Sequence, residues 1–78
     1  MQIITGKITR VEFLKLSYYG NPYHRVAIED ASGEVHILRT QIDSGINYEI
    51  SNPEYRDQVH EFRLTRDGRI FGSKLVTS

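Results

Sequence analysis

The chain has 78 residues, no cysteine, and ten acidic and ten basic side chains. A chain this short can build only one small hydrophobic core, so we expect a single domain over residues 1–78. The absence of cysteine excludes disulfides and thiolate zinc sites, and the formal net charge of zero argues against a strongly basic protein that coats duplex DNA.

Alternation of apolar and polar residues begins at once and predicts β-strands. The first run, from Gln2 to Leu16, is too long for one flat strand, and the phase of its apolar residues changes twice. Each phase change in a two-residue period needs one extra residue, so we expect bulges near Thr9-Arg10 and near Phe13-Leu14. Gly6 would allow a bend, and a long bent first strand is typical of a sheet that curls into a barrel.

Two strands are predicted next, on either side of a glycine-containing loop. A turn-rich loop, Ser17–Pro22, is followed by a strand over Tyr23–Glu29 and another over Glu34–Gln41. Reading Asp30–Gly33 as a four-residue loop pairs Val26 with Ile37 and Ile28 with Val35 on the core face. The same register turns Tyr23, Arg25, Ala27, His36, Leu38 and Thr40 outward, and places His24 and Arg39 on the inward phase.

Alternation stops between Ile42 and Gln58, which predicts an irregular connector. Asn52-Pro53-Glu54 has the composition of a helix start, so we expect one or two helical turns over Pro53–Arg56, forming a short plug. Five acids and one base lie between Asp43 and Glu61, which leaves a surplus of bases elsewhere.

The last segment is predicted to be a hairpin. Strands over Val59–Thr65 and Arg69–Val76 flank Asp67-Gly68, which is a strong hairpin signal. A two-residue turn there pairs Leu64 with Phe71, Phe62 with Ser73, and His60 with Leu75.

Three strands, a connector and a terminal hairpin resemble the oligonucleotide-binding (OB) fold, an all-β, five-stranded Greek-key barrel. The bent first strand, the Gly33 hairpin and the short plug carry this resemblance, which is architectural and covers nearly the whole chain. The resemblance implies that a ligand crosses strands 2 and 3 between the loops that join strands 1 to 2 and 4 to 5. The implied binding residues are Tyr18, Tyr19, Tyr23, Arg25, His36, Leu38, Arg66 and Arg69. The very short 4–5 loop departs from the family and argues against a deep groove.

Loop tyrosines can stack bases and arginines can contact phosphates, so we expect a non-catalytic module that binds single-stranded DNA or RNA. The alternative is a protein-interaction domain, a homo-oligomer or a subunit of a larger assembly such as a phage or replication complex, for which Leu38, Tyr48 and Tyr55 are candidate exposed contacts.

No serine has a recognisable base beside it, so no enzymatic activity is expected. His24, His36 and His60 diverge in the predicted strands, so neither a metal nor another cofactor is expected. No apolar run or basic leader points to a membrane, which makes a cytoplasmic protein the expectation.

Overall fold

The computed structural model describes residues 2–53, 55 and 58–76, and these residues form five β-strands and one short helix. In chain order the elements are β1 (Gln2–Leu16), β2 (Pro22–Glu29), β3 (Val35–Arg39), α1 (Ile46–Glu49), β4 (Val59–Leu64) and β5 (Ile70–Leu75). The strands form one antiparallel sheet in the order β3-β2-β1-β4-β5, which confirms the all-β class. The sheet is open, and its edge strands approach each other at one isolated parallel bridge, between Thr40 and Ile70. In the part of the chain that the structure describes, no helix is long and apolar enough to cross a membrane.

β1 is the central strand and pairs with two neighbours in succession. Its first residues, up to Lys7, pair with β4, and from Lys7 onward it pairs with β2. The pairing with β2 shifts between Ile8 and Arg10 and again between Phe13 and Lys15. Both predicted bulges are therefore confirmed, because each phase change in the sequence corresponds to one extra residue in β1.

Three hairpins share one construction, over Ser17–Asn21, Asp30–Glu34 and Thr65–Arg69. In each, the first N–H donates to the carbonyl of the fifth residue, and the N–H of a glycine at the fourth position donates to the first carbonyl. The side-chain oxygen of the first residue accepts the N–H of the fifth, at 3.0 to 3.2 Å. The three glycines have φ between 79° and 87°, the left-handed conformation that closes a three-residue loop. One local solution therefore connects three pairs of strands.

The loop length corrects the predicted pairing of β2 with β3. The Asp30–Glu34 hairpin has three loop residues where four were predicted, so the register moves by one, and one step exchanges the two faces of a strand. Val26 pairs with Leu38, and Ala27 pairs with Ile37. Val35 and Ile37, predicted to lie in the core, are 50% and 61% exposed.

The same one-residue change in register also reverses the predicted burial of residues near the ends of the β-strands. Thr40, predicted to face outward, is fully buried, and Arg39, predicted on the inward phase, is exposed. In the last hairpin Leu64 meets Ile70, where Phe71 was predicted, and Ile70 is buried while Phe71 is not. A register shift between Arg63 and Leu64 then restores the predicted pairs, Phe62 with Ser73 and His60 with Leu75.

The connector acts as a plug, as predicted, but its helix lies earlier in the sequence. α1 spans Ile46–Glu49, and Ile46 and Ile50 are almost completely buried in the core. The predicted helical turn at Pro53–Arg56 lies partly outside the described residues; within it, the N–H of Tyr55 donates to the carbonyl of Asn52. The core consists of Ile8, Val26, Ile28, Ile46, Ile50, Phe62, Leu64 and Ile70.

Two of the three side chains proposed from the sequence as exposed protein contacts are partly buried. Leu38 and Tyr55 pack against the core, whereas Tyr48 is exposed. The Tyr55 ring stacks on His60 with ring centroids 3.9 Å apart. Burial and the nearby negative charge of Glu49 raise the pKa of Tyr55 to about 12.

Candidate nucleic-acid interface

The register places a set of side chains on the side of β1–β2–β3 that faces away from the core, which we call the outer face. Residues that pair directly across strands point to the same side, so they form rows. From one end of the sheet to the other, the rows are Lys7–Glu29–Val35, Arg10–Ala27–Ile37, Glu12–Arg25–Arg39 and Lys15–Tyr23.

The outer face is positively charged although the whole chain is neutral. The rows contain five cations, all exposed or half-exposed: Lys7, Arg10, Lys15, Arg25 and Arg39. They contain two carboxylates, Glu12 and Glu29. Arg25 and Arg39 lie directly opposite each other, an arrangement that repels and therefore favours an anion between them.

A shallow depression lies in the middle of the outer face. Its volume is about 180 Å³, and Arg10, Glu12, Arg25, Ala27 and Ile37 line it together with Val26. The Arg25 Nη1 atom is 3.4 Å from the Glu12 Oε2 atom, but both side chains are partly exposed. Such a surface pair contributes less than about 1 kcal/mol, so Arg25 can exchange Glu12 for a ligand phosphate at small cost.

Tyr18 and Tyr19 lie at the end of this face. They occupy the tip of the Ser17–Asn21 hairpin, which joins β1 to β2 directly beyond the Lys15–Tyr23 row. Their side chains are 95% and 77% exposed, and the two rings meet edge to face with centroids 5.2 Å apart. Because little of either ring is covered, both offer π-surface to a ligand.

Three of the predicted binding residues are placed differently. Tyr23 is only 8% exposed, with the Lys15 Nζ atom 5.9 Å from its ring centroid. Leu38 and His36 lie on the core side of β3, because of the one-residue register shift. His36 Nε2 forms a hydrogen bond with Asp30 Oδ2 at 2.9 Å. The predictions that these three side chains line an exposed binding face are therefore wrong.

The two predicted arginines of the last hairpin lie on a different element from the outer face. Arg66 is exposed at the tip of the Thr65–Arg69 hairpin, and Arg69 is half-buried at its end. The Gln41 N–H, just after β3, donates to the carbonyl of Ile70 at 2.7 Å. This bond ties the start of β5 to the end of β3, at the end of the sheet where β2 begins.

Several cations of the outer face were missed by sequence reasoning. Arg10, Lys15 and Lys7 are on β1, and Arg39 was assigned to the wrong side of β3. The bulge near Thr9-Arg10 was itself predicted, and following the β1 pairing through it would have placed Arg10 opposite Ala27.

Asp43 fixes the tyrosine hairpin to the connector. Its Oδ1 atom accepts hydrogen bonds from Ser17 Oγ at 2.5 Å and Asn21 Nδ2 at 2.8 Å, and Tyr48 donates its hydroxyl to Asn21 Oδ1 at 2.7 Å. The hydrogen bonds from Ser17 and Asn21 lower the pKa of Asp43, and the bond from Ser17 has the larger effect. Asp43 has a φ of 60°, so the backbone accepts some strain to bring its carboxylate to the hairpin.

Replacing Asp43 with asparagine should reduce the sensitivity of the fold to acid. Because the folded-state pKa of Asp43 lies below the unfolded value of about 3.9, the ionised carboxylate stabilises the fold above about pH 3.9. This stabilisation is lost as the pH falls from there through the folded-state pKa. Asparagine does not titrate and tolerates positive φ, so Asp43→Asn should lose less stability between about pH 6 and pH 3 than the wild type. Urea unfolding midpoints at the two pH values measure this, and equal losses in the two proteins would contradict it.

The three histidines occupy separate environments in the described structure. His24 is buried and its Nδ1 atom lies 3.0 Å from Asn47 Oδ1, which also accepts the Thr40 hydroxyl. His60 stacks on Tyr55. These contacts anchor the connector to the sheet.

His36 belongs to a different group, at the Asp30–Glu34 hairpin. Asp30, Glu34 and His36 offer possible metal-ligating atoms within 4.8 Å of one another. However, Asp30 Oδ1 accepts the hydroxyl and N–H of Ser32 and the N–H of Glu34, and Asp30 Oδ2 is bonded to His36. These bonds hold the pKa of Asp30 well below its usual range, and the bond from the Ser32 hydroxyl has the largest effect. The same bonds close the hairpin, which explains why the three side chains lie close together.

Comparison of the chain with protein-family models, with curated proteins and with solved structures finds no match.

Proposed function

We propose that the protein is a non-catalytic module that binds single-stranded nucleic acid across the outer face. The observation that carries the proposal is the concentration of five cations and two carboxylates on one side of three strands in a chain of zero net charge. A polyanion gains from such a surface by releasing its counterions, even where the protein as a whole is neutral.

We also propose that the open sheet is an arrangement of the OB type. The support is the strand order, the long β1 with two bulges, the plug formed by the connector, and the parallel bridge between Thr40 and Ile70. In that fold the usual binding surface is the face of strands 2 and 3 next to the loop between strands 1 and 2, and here Arg25, Arg39 and the tyrosine hairpin belong to that region.

The division of labour follows from the side chains. Arg10, Arg25 and Arg39 bind backbone phosphates, for which a guanidinium offers paired donors. Tyr18 and Tyr19 stack bases at the end of the strip, and Ile37 provides apolar surface between the arginines. None of these contacts reads the edge of a base, so binding has little sequence preference.

The test is the affinity of the protein for a fluorescently labelled pyrimidine oligonucleotide of about 12 nucleotides, as DNA and as RNA, at several salt concentrations. If all five cations contact phosphates, log K should fall against log salt with a slope of up to about −3.5. Absence of binding at low salt, or an affinity that salt does not change, would refute the proposal.

The tyrosine pair should contribute a large part of the affinity. Each stacked base contributes about 1–3 kcal/mol, so the double variant Tyr18→Ala/Tyr19→Ala should bind at least about ten-fold more weakly, with its salt slope unchanged. Phe71→Ala removes a partly exposed aromatic on β5, away from the outer face, and should bind as the wild type does. Equal losses in the two proteins would contradict the assignment.

A further inference from the structure

The hairpin that carries the exposed tyrosines is held at both of its ends by a distant part of the chain. Ser17 Oγ and Asn21 Nδ2 both donate to Asp43 Oδ1, which lies 22 residues or more further along the sequence. The carbonyl oxygen of the Asn21 side chain accepts the hydroxyl of Tyr48, from α1. The Ser17 hydroxyl also accepts the Asn21 N–H at 3.2 Å. The first and fifth residues of the hairpin are therefore joined to each other and to the connector.

The connector is itself fixed to the core, so it can serve as an anchor. Asn47 is 1% exposed, and its side-chain amide donates to the carbonyls of Gln41 and Ser44 at 3.0 and 3.1 Å. Asp43 lies between these two residues in the sequence. Asn47 Oδ1 also accepts the hydroxyl of Thr40, which is fully buried. A continuous set of hydrogen bonds therefore runs from buried side chains to the two ends of the tyrosine hairpin.

The tyrosine hairpin differs in this respect from the hairpin at the other end of β2. The Asp30–Glu34 hairpin is closed locally, because the Asp30 carboxylate bonds with groups no more than six residues away. The tyrosine rings have little packing to hold them, since the two residues are 95% and 77% exposed. Ordering a mobile loop on binding costs free energy that is subtracted from the affinity. An external anchor therefore has its largest effect on a hairpin whose exposed tip meets a ligand.

We propose that Asp43 and Tyr48 are positioning residues, which hold the tyrosine hairpin in its base-stacking conformation before nucleic acid arrives. This inference rests on the proposed function, because it concerns the same tyrosines. Asp43 is an exposed carboxylate that would repel a phosphate in direct contact, so it acts through the hairpin. Without the anchor, only the molecules with an ordered hairpin are competent to bind, and the apparent dissociation constant rises as that fraction falls.

Two substitutions at one position separate the anchor from its charge. Asp43→Gly and Asp43→Asn both remove the carboxylate charge, and both new residues tolerate the φ of 60° at this position. Only asparagine keeps an oxygen that can accept the bonds from Ser17 and Asn21. Asp43→Asn should bind the labelled pyrimidine oligonucleotide at least as tightly as the wild type, and Asp43→Gly about five-fold more weakly. Tyr48→Phe, which removes one hydroxyl at an exposed position of α1, should lie between the wild type and Asp43→Gly.

Two further measurements show whether the anchor acts through the tyrosines. In the Tyr18→Ala/Tyr19→Ala background, adding Asp43→Gly should cause no further loss of affinity, because the hairpin no longer carries the rings. In the free protein, NMR order parameters of the backbone from Tyr18 to Gly20 should fall below about 0.6 in Asp43→Gly and stay at about 0.85 in Asp43→Asn. Urea unfolding establishes that each variant is folded, and Tyr48→Phe carries the same tests if Asp43→Gly is not.

The outcomes separate this inference from the proposed function. If the wild type binds the oligonucleotide but the glycine and asparagine variants bind equally well, the positioning role is wrong. An ordered hairpin in Asp43→Gly, or the same loss of affinity with and without the tyrosines, also overturns it. If the wild type does not bind at low salt, the proposed function is refuted and the positioning role with it.

Discussion

Gly6→Ala should abolish or severely weaken folding. A Cβ atom at Gly6 would fall against the carbonyl oxygen of Glu29, far inside van der Waals contact, and 2.9 Å from Ile28 Cγ2. Gly6 lies where β1 changes its partner from β4 to β2, so neither side can move away without breaking a ladder. We expect a loss of about 3 kcal/mol, the upper end for overpacking, in a domain whose small core supplies little more than that. Urea unfolding followed by circular dichroism measures the loss.

Gly45→Ala is the matched control for this effect. Gly45 precedes α1 with a φ of −61°, and a Cβ there would meet no atom within 4 Å. Its stability should stay within about 0.5 kcal/mol of the wild type. If Gly6→Ala were as stable as Gly45→Ala, the close approach of β1 to β2 would be wrong.

The double variant Arg10→Glu/Arg25→Glu should bind the pyrimidine oligonucleotide at least about 100-fold more weakly than the wild type. Each charge-assisted hydrogen bond to a phosphate contributes about 1.5–3 kcal/mol, and the new carboxylates repel the backbone as well. Both side chains line the depression of the outer face. The salt dependence of binding should become shallower, because fewer counterions are released.

The control for this variant carries the same change of charge on other strands. Arg63→Glu/Lys74→Glu also lowers the net charge by four, but Arg63 lies on β4 over the Phe71 ring, and Lys74 is on β5. It should keep most of the affinity. A comparable loss in both variants would mean that total charge, and not the outer face, controls binding.

The bends of β1 could be predicted from the sequence because the apolar phase records them directly. The hairpins could not be predicted as well, since a glycine near a turn is compatible with loops of two, three or four residues. The Asp30–Glu34 and Thr65–Arg69 loops both have three residues. An error of one residue in loop length exchanges the two faces of a strand, which is why Ile37 was assigned to the core.

The exposure of the candidate site residues could be predicted in the loops, but the face of the sheet on which the strand residues lie was partly wrong, because it depends on the strand register. Tyr18 and Tyr19 are exposed because they occupy a hairpin tip, which composition alone indicates. Arg25 is on the predicted side of β2, because its phase does not depend on the loop that follows. Tyr23 shares that phase but is buried beside Lys15, a contact across strands that a single-strand pattern does not contain.

In the three hairpins, the residues that form the shared hydrogen bonds of the loop are different from those at its exposed tip. Positions one, four and five carry the shared hydrogen bonds and the left-handed glycine. At positions two and three only Ser32 adds to this frame, by donating its hydroxyl and its N–H to Asp30 Oδ1. The pairs Tyr18-Tyr19 and Arg66-Asp67 can therefore differ in sequence while the backbone of the hairpin stays the same. The exposed residues of these two hairpins can then be changed as a pair without changing the strands that support them.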